Sequence, residues 1–295
     1  MDTFTWIPFY QEFATTLLSF KSNRSVLIDK IYKTFKAIGI KLAKLDNVDP
    51  SADMDPFTVF GLFNKNMTDK NRLSICSEIK NQFGLQSTIP TDFVGIPTLN
   101  PQNATFYPFV GDSKRGANDI DHLWFCFDSA LEYADQPSVH SEEKFIEAYD
   151  AVKDIKGNRW KLTMALYWVR PYTFLSLDST SRSFLSGNGN IDDVFAEQIK
   201  ALKNLPDGTT YLSLCKKCAE VIHQSEKYHN FVELSFGAWN VSARIIGDTP
   251  IDPIIGAALG DQDVRTVHYW LYSPGGNAAH WETFRQEGII ALSWG

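Results

Sequence analysis

Long apolar runs are missing from this chain. No stretch approaches the roughly eighteen uninterrupted apolar residues that a membrane-crossing helix needs, so no membrane partner is expected. The start does not read as an export signal either: Asp2 stands where a basic region would, and Pro8, Gln11 and Glu12 interrupt any apolar core, which predicts a cytoplasmic protein. Cysteine is scarce. Four in 295 residues (Cys76, Cys126, Cys215 and Cys218) do not make a disulfide framework. A basic excess is lacking as well: 28 basic against 35 acidic residues give a formal charge of −7, so the chain as a whole repels a polyanion and any nucleic-acid contact has to be local.

Sites with a recognisable chemistry are equally sparse. Gly111 and Gly116 have the glycine spacing of a phosphate-binding loop, but Ala117 and Asn118 replace the lysine and hydroxyl that grip phosphate and magnesium, so neither nucleotide hydrolysis nor a cofactor is expected within the chain. Cys215 and Cys218 with His223 and His229 would put four zinc ligands on or just after one helix. A closed tetrahedral site needs a second ligand-bearing element, and half-buried helix cysteines are the plainer reading, so no metal is expected. Glu142-Glu143-Lys144 and Glu78-Ile79-Lys80 match a Glu-x-Lys nuclease fragment but fall in helical patterns without a strand-borne aspartate.

What is present is apolar and helical. With 44% hydrophobic and 14% aromatic residues, the chain can bury a sizeable core. Phe9, Phe13, Leu17 and Phe20 mark one helix, and Leu27, Ile28, Ile31, Phe35 and Ile38 before Gly39 mark a second, expected to pair with it antiparallel. Asp55-Pro56 opens a phenylalanine-rich helix, and Thr68 or Asp69 caps one running to Phe83 and Gly84. Residues 85–118 hold Pro90, Pro97, Pro101 and Pro108 and predict a long irregular segment, a place where binding functions concentrate. Phe106, Tyr107, Phe109 and Arg115 are its ligand candidates, with packing beneath the loop the plainer alternative. Helices follow around Trp124, from Ser141 as a cap, over 192–205 and 209–225, and near Trp239.

The stretch Lys156-Gly157-Asn158-Arg159-Trp160-Lys161, then Leu162, Ala165, Leu166 and Val169 at helical spacing, then Pro171, reads as a turn and a short buried helix. A connector carrying Phe174, Leu175 and Leu177 leads to Asp178, placed to cap the next helix. From Lys153 to Arg170 five basic residues (Lys153, Lys156, Arg159, Lys161 and Arg170) face one acidic residue, Asp154. They are candidates for DNA-backbone contact, and solvated helix ends are the alternative. This order loosely resembles the centre of helix-hairpin-helix DNA glycosylases, and the resemblance implies catalytic roles for Lys161 and Asp178, seventeen positions apart.

Periodicity changes at the end. Arg265 to Tyr272 is rich in β-branched and aromatic residues, Ser273-Pro274-Gly275-Gly276 is a turn, Trp281 to Arg285 is helical, and Ile289 to Trp294 reads as a strand. This is a β-α-β opening that cannot cover its own faces, so the chain reads as a larger protein cut inside its last domain. The expected organisation is a helical pair over 1–50, a mainly α multi-helical domain over 51–262, and a truncated β-α-β unit over 266–295.

Tyr269-Trp270-Leu271-Tyr272-Ser273-Pro274-Gly275, with Trp281, Phe284, Glu287-Gly288-Ile289-Ile290-Ala291-Leu292 and Trp294, resembles the start of the EVE-like (PUA/YTH-related) domains of McrB-type restriction ATPases. Asp55 to Asn64 and Leu162 to Asp178 resemble the helical region preceding such domains. The resemblance implies a noncatalytic DNA-recognition region for modified bases, with Ser273, Trp294 and Trp270 near a pocket for an extruded base. It further implies an AAA+ ATPase domain beyond Gly295 and a nuclease subunit as partner. A glycosylase-like enzyme and a protein-interaction scaffold are the alternatives.

Overall fold

A computed structural model describes residues 3–42, 53–101, 104–109, 111–187, 189–225 and 227–246. Polar, turn-rich residues 41–53, which read as a linker or exposed loop, lie almost wholly outside them, and so does the whole 266–295 unit with Trp270, Ser273 and Trp294. Eleven helices and no named strand occur among the described residues, which makes them mainly α. One isolated parallel bridge there joins Lys65 to Leu99. No helix among these residues is long and apolar enough to cross a membrane.

Helix α7, Lys161–Val169, is the hub. All nine of its residues are buried, as befits a helix apolar around most of its girth. It is packed by α1 (Trp6–Leu18), α3 (Pro56–Gly61) and α5 (Asp119–Asp135). Around this hub α5 lies along α6 (Val139–Val152), and α2 (Arg24–Ala37) lies along α4 (Asp69–Phe83). Then α8 (Ser179–Leu185) meets α9 (Asp193–Ala201) and α11 (Phe231–Ile246), and α10 (Gly208–His223) packs on α6. The two N-terminal helices were expected to pair. Instead α2 turns its apolar face to α4 and α1 turns to α7, and both contribute to the same buried cluster as the later helices.

Caps set the helix starts. Asp55 accepts from the Thr58 N–H at 3.0 Å with Pro56 at the first helical position, and Asp178 accepts from the N–H groups of Thr180 and Ser181. Ser141, expected as a cap, is instead the third residue of α6: Ser138 caps, and the two serines close a reciprocal box. Asp207 rather than Thr209 opens α10.

Between α4 and α5, the described residues of 84–118 contain no named helix or strand, and they bury Phe93, Ile96, Leu99, Phe106 and Tyr107 in the core. A buried segment outside any ladder must find donors for its carbonyls elsewhere. Leu99 O accepts from the Asn66 N–H at 3.0 Å, and side chains supply the donors for its neighbours. The Trp6 indole donates to Val94 O at 3.0 Å, the Trp168 indole to Pro97 O at 2.9 Å, and both Tyr167 Oη and Ser235 Oγ to Gly95 O at 2.9 Å. Glycine is needed at two contacts of this segment. Gly95 has φ +74°, and a Cβ on Gly61 would meet Ala104 O at 2.3 Å.

The shared carbonyl of Gly95 gives a direct test. Tyr167→Phe should cost about 1 kcal/mol, because Ser235 still satisfies the carbonyl. Tyr167→Phe with Ser235→Ala leaves it bare and should cost about 1–3 kcal/mol beyond the sum of the singles. Urea unfolding of the four proteins with a common m-value measures this, and strict additivity would refute it.

Candidate functional site

The turn between α6 and α7 is built from Gly157 at φ +100° and Arg159 at φ +39°, a left-handed value that a branched-off side chain adopts only under constraint. Asn158 supplies the constraint. It is buried, its amide Nδ2 donates to Val152 O at 2.9 Å, and its backbone N–H donates to Ile155 O at 3.0 Å. The result is a tight hairpin that leaves Lys156 and Arg159 exposed.

The five candidate cations of this stretch part company in the structure. Arg159 is exposed and makes no ion pair among the described residues. Lys156 is exposed and pairs with Asp112 at 2.5 Å, while half-buried Lys153 pairs with Asp154 at 2.5 Å. Arg170 is buried and turned inward. Its Nε and Nη2 donate to the two oxygens of Asp135 at 2.6 Å each, Nη1 donates to Val169 O, and Nη2 also reaches Thr15 Oγ1. That fork ties the ends of α7 and α5 to α1, a structural role.

Lys161 is also enclosed. Its Nζ donates to Thr105 O and lies 4.7 Å from the centre of the Phe106 ring. Burial pushes its amine down to about 8, against the opposing field of Asp55. Asp55 itself is fully buried, and burial pushes its carboxyl up to about 6 although Thr58 and Lys161 pull the other way. One Asp55 oxygen accepts from Thr58 N–H, the other from Thr58 Oγ1, and that hydroxyl oxygen accepts from Phe106 N–H at 3.0 Å. The start of α3 and the start of α7 therefore clamp residues 105–106 of the long segment from two sides.

Asp178, the other residue of the glycosylase-like reading, is occupied differently. Oδ1 accepts from Thr180 and Ser181 N–H at 2.9 and 3.2 Å, and Oδ2 from Ser176 and Ser181 hydroxyls at 2.9 and 2.6 Å. The carboxylate acting on Lys161 is Asp55, while Asp178 acts on Arg182 and Tyr167. Sequence reasoning read Asp55 only as a cap. Its signal was an aspartate ahead of three buried residues, with Thr58 placed to return a second hydrogen bond.

In the long segment Phe106 and Tyr107 are buried, and Arg115 lies 5.2 Å from the Tyr107 ring centre and donates to Pro108 O at 3.0 Å. All four thiols are buried, and burial pushes each of them up, Cys76 and Cys215 to about 12. Glu142 is engaged by Lys216, and Lys144 by Glu132. Among the described residues no group of three or more His, Cys, Asp or Glu is gathered as a metal site.

A family model described as Domain of unknown function (DUF8425) matches residues 6–241. No curated protein and no solved structure gives a significant match.

The buried pair predicts a two-sided pH profile. Asp55 binds its proton more tightly folded than unfolded, so its contribution is complete below its ordinary value of 3.8 and is lost as pH rises through about 6. Lys161 holds its proton less tightly folded, so stability rises with pH between about 8 and its ordinary 10.5. Urea midpoints across pH should show both limbs. Asp55→Asn should flatten the falling limb and Lys161→Met the rising one; unchanged limbs would contradict the assignment.

Proposed function

We propose that this chain, which belongs to the family Domain of unknown function (DUF8425), is a noncatalytic DNA-recognition region of a McrB-like restriction or defence ATPase, on the resemblance and on the geometry of one turn. The observation carrying the reading is the α6–α7 hairpin, whose constrained turn presents Arg159 to solvent, beside Lys156 in its pair with Asp112, on an otherwise acidic chain. Such a turn suits contact with the DNA backbone, which fixes register and orientation without reading sequence. Base reading belongs, on the resemblance, to the β-α-β start of an EVE-like domain over 266–295, with Ser273, Trp294 and Trp270. The matched family region ends at residue 241, before that segment begins. An AAA+ domain and a nuclease subunit are the partners this reading implies.

A glycosylase-like enzyme is the second reading, and one observation favours it. An amine pushed down to about 8 by burial, as at Lys161, is partly neutral near physiological pH, which nucleophilic lysine chemistry requires. Its burial under Thr105 and Phe106 weighs against it.

Fluorescence anisotropy of the chain on modified and unmodified duplexes, across a salt series, tests the first reading. Arg159→Ala should lower the slope of log affinity against log salt by about one. Trp294→Ala should erase any preference for the modified duplex and leave that slope alone, and Lys161→Ala should leave binding intact. Failure to bind any duplex at any salt concentration would sink the reading in favour of a protein-interaction scaffold. A borohydride-trapped adduct that Lys161→Ala abolishes would select the enzyme.

A further inference from the structure

Arg182 of α8 is held differently from the other enclosed arginines. Its guanidinium carbon lies 3.9 Å from the centre of the Trp160 ring, and its Nε donates to Leu177 O at 3.0 Å. Those two contacts fix the side chain over the indole. Nη1 and Nη2 make no hydrogen bond or ion pair among the described residues. By contrast Arg24 uses its Nη atoms on Asp53 and Asp121, Arg170 on Asp135, Arg72 on Lys65 O, and Arg115 on Pro108 O.

The acid whose field reaches Arg182 is Asp178, yet all the contacts of its two oxygens go to the start of α8 and to Ser176. Arg182 is thus a half-buried cation without a closing anion, and burial pushes its pKa down. Holding a cation partly out of water without a partner is costly, and a bound anion removes that cost. The open end is a planar fork of two nitrogens, the shape that takes two oxygens of one phosphate, and stacking on an indole keeps the fork from turning. Trp160 directly follows exposed Arg159 in the hairpin, so the fork belongs to the same corner of the molecule.

We infer that the Trp160–Arg182 stack is a phosphate-binding site, in which the open Nη pair grips one phosphate beside the α6–α7 hairpin. The inference rests in part on the proposed function, in which that phosphate belongs to the DNA backbone; a free phosphate compound is the other source of the same chemistry.

The test uses the whole chain with Arg182→Ala and Arg182→Lys, and two probes, duplex DNA and inorganic pyrophosphate. Arg182→Ala should lower the salt slope of duplex binding by about one, and Arg182→Lys should keep the slope but weaken binding, since it retains charge and loses the fork. Pyrophosphate should raise the melting temperature of the wild type and leave that of Arg182→Ala unmoved. A duplex salt slope unchanged in Arg182→Ala removes DNA as the source, and it overturns the site where pyrophosphate stabilises Arg182→Ala as well as the wild type or stabilises neither, since a purely structural arginine would change melting alone. If the wild type binds no duplex, the DNA reading falls, and pyrophosphate decides alone: stabilisation abolished by Arg182→Ala upholds the site for a soluble phosphate compound, and no stabilisation overturns it.

Discussion

The structure depends on satisfying the backbone of a long segment that has no ladder of its own. The described residues of 84–118 line the apolar core, and a carbonyl turned inward there would lose its water without replacement. For Val94, Gly95, Pro97 and Thr105 the replacement comes from Trp6, Tyr167, Ser235, Trp168 and Lys161, drawn from α1, α7 and α11, while Leu99 O accepts from the Asn66 N–H. This explains the side chains of α7. A helix buried on every side has no use for a polar face, and yet it carries a lysine, a tyrosine and a tryptophan whose donors point at the segment above it. Indole and phenol combine large apolar area with one donor, which suits a position that must fill space and also meet a carbonyl.

The polar groups enclosed with that segment follow the same logic. Asp55 and Lys161 come from helix starts far apart in sequence, and each holds an adjacent residue of the strand-free stretch, Phe106 through Thr58 and Thr105 directly. Their opposite charges partly offset what burial costs each of them. Arg170 does similar work at the far end of α7 with Asp135 and Thr15. The hub helix thus has a charged side chain at each of its two ends, and both are committed inward. The hairpin just before it is where charge faces solvent.

Much of the helical plan was legible because it is local. Apolar spacing identified α1, α2, α4, α5 and the buried character of α7, and the caps at Asp55 and Asp178 followed from a short acid ahead of a helix. Ser138 was missed in favour of Ser141 because both serines are competent caps and only the reciprocal bond between them sets which comes first. Partners were the harder matter. Nothing in the pattern of α2 says that α4 rather than α1 receives its face, since that choice is made by long-range packing. The basic run looked uniform along the chain, but helix phase and the acids brought by α5 and the long segment divide it into enclosed, paired and open cations. Arg182 gave no signal at all, because its meaning lies in what its neighbours leave unfilled.

The burial of every cysteine has a consequence for how this protein ages and how it can be watched. Cys76 sits in α4, Cys126 in α5, and Cys215 and Cys218 in α10, all with thiols held in the protonated, unreactive form. An alkylating or oxidising reagent reaches them only when the surrounding helices open. Reagent uptake under native conditions therefore becomes a built-in clock for opening events, with Cys76 reporting on the α2–α4 side and the α10 pair on the α6–α10 side.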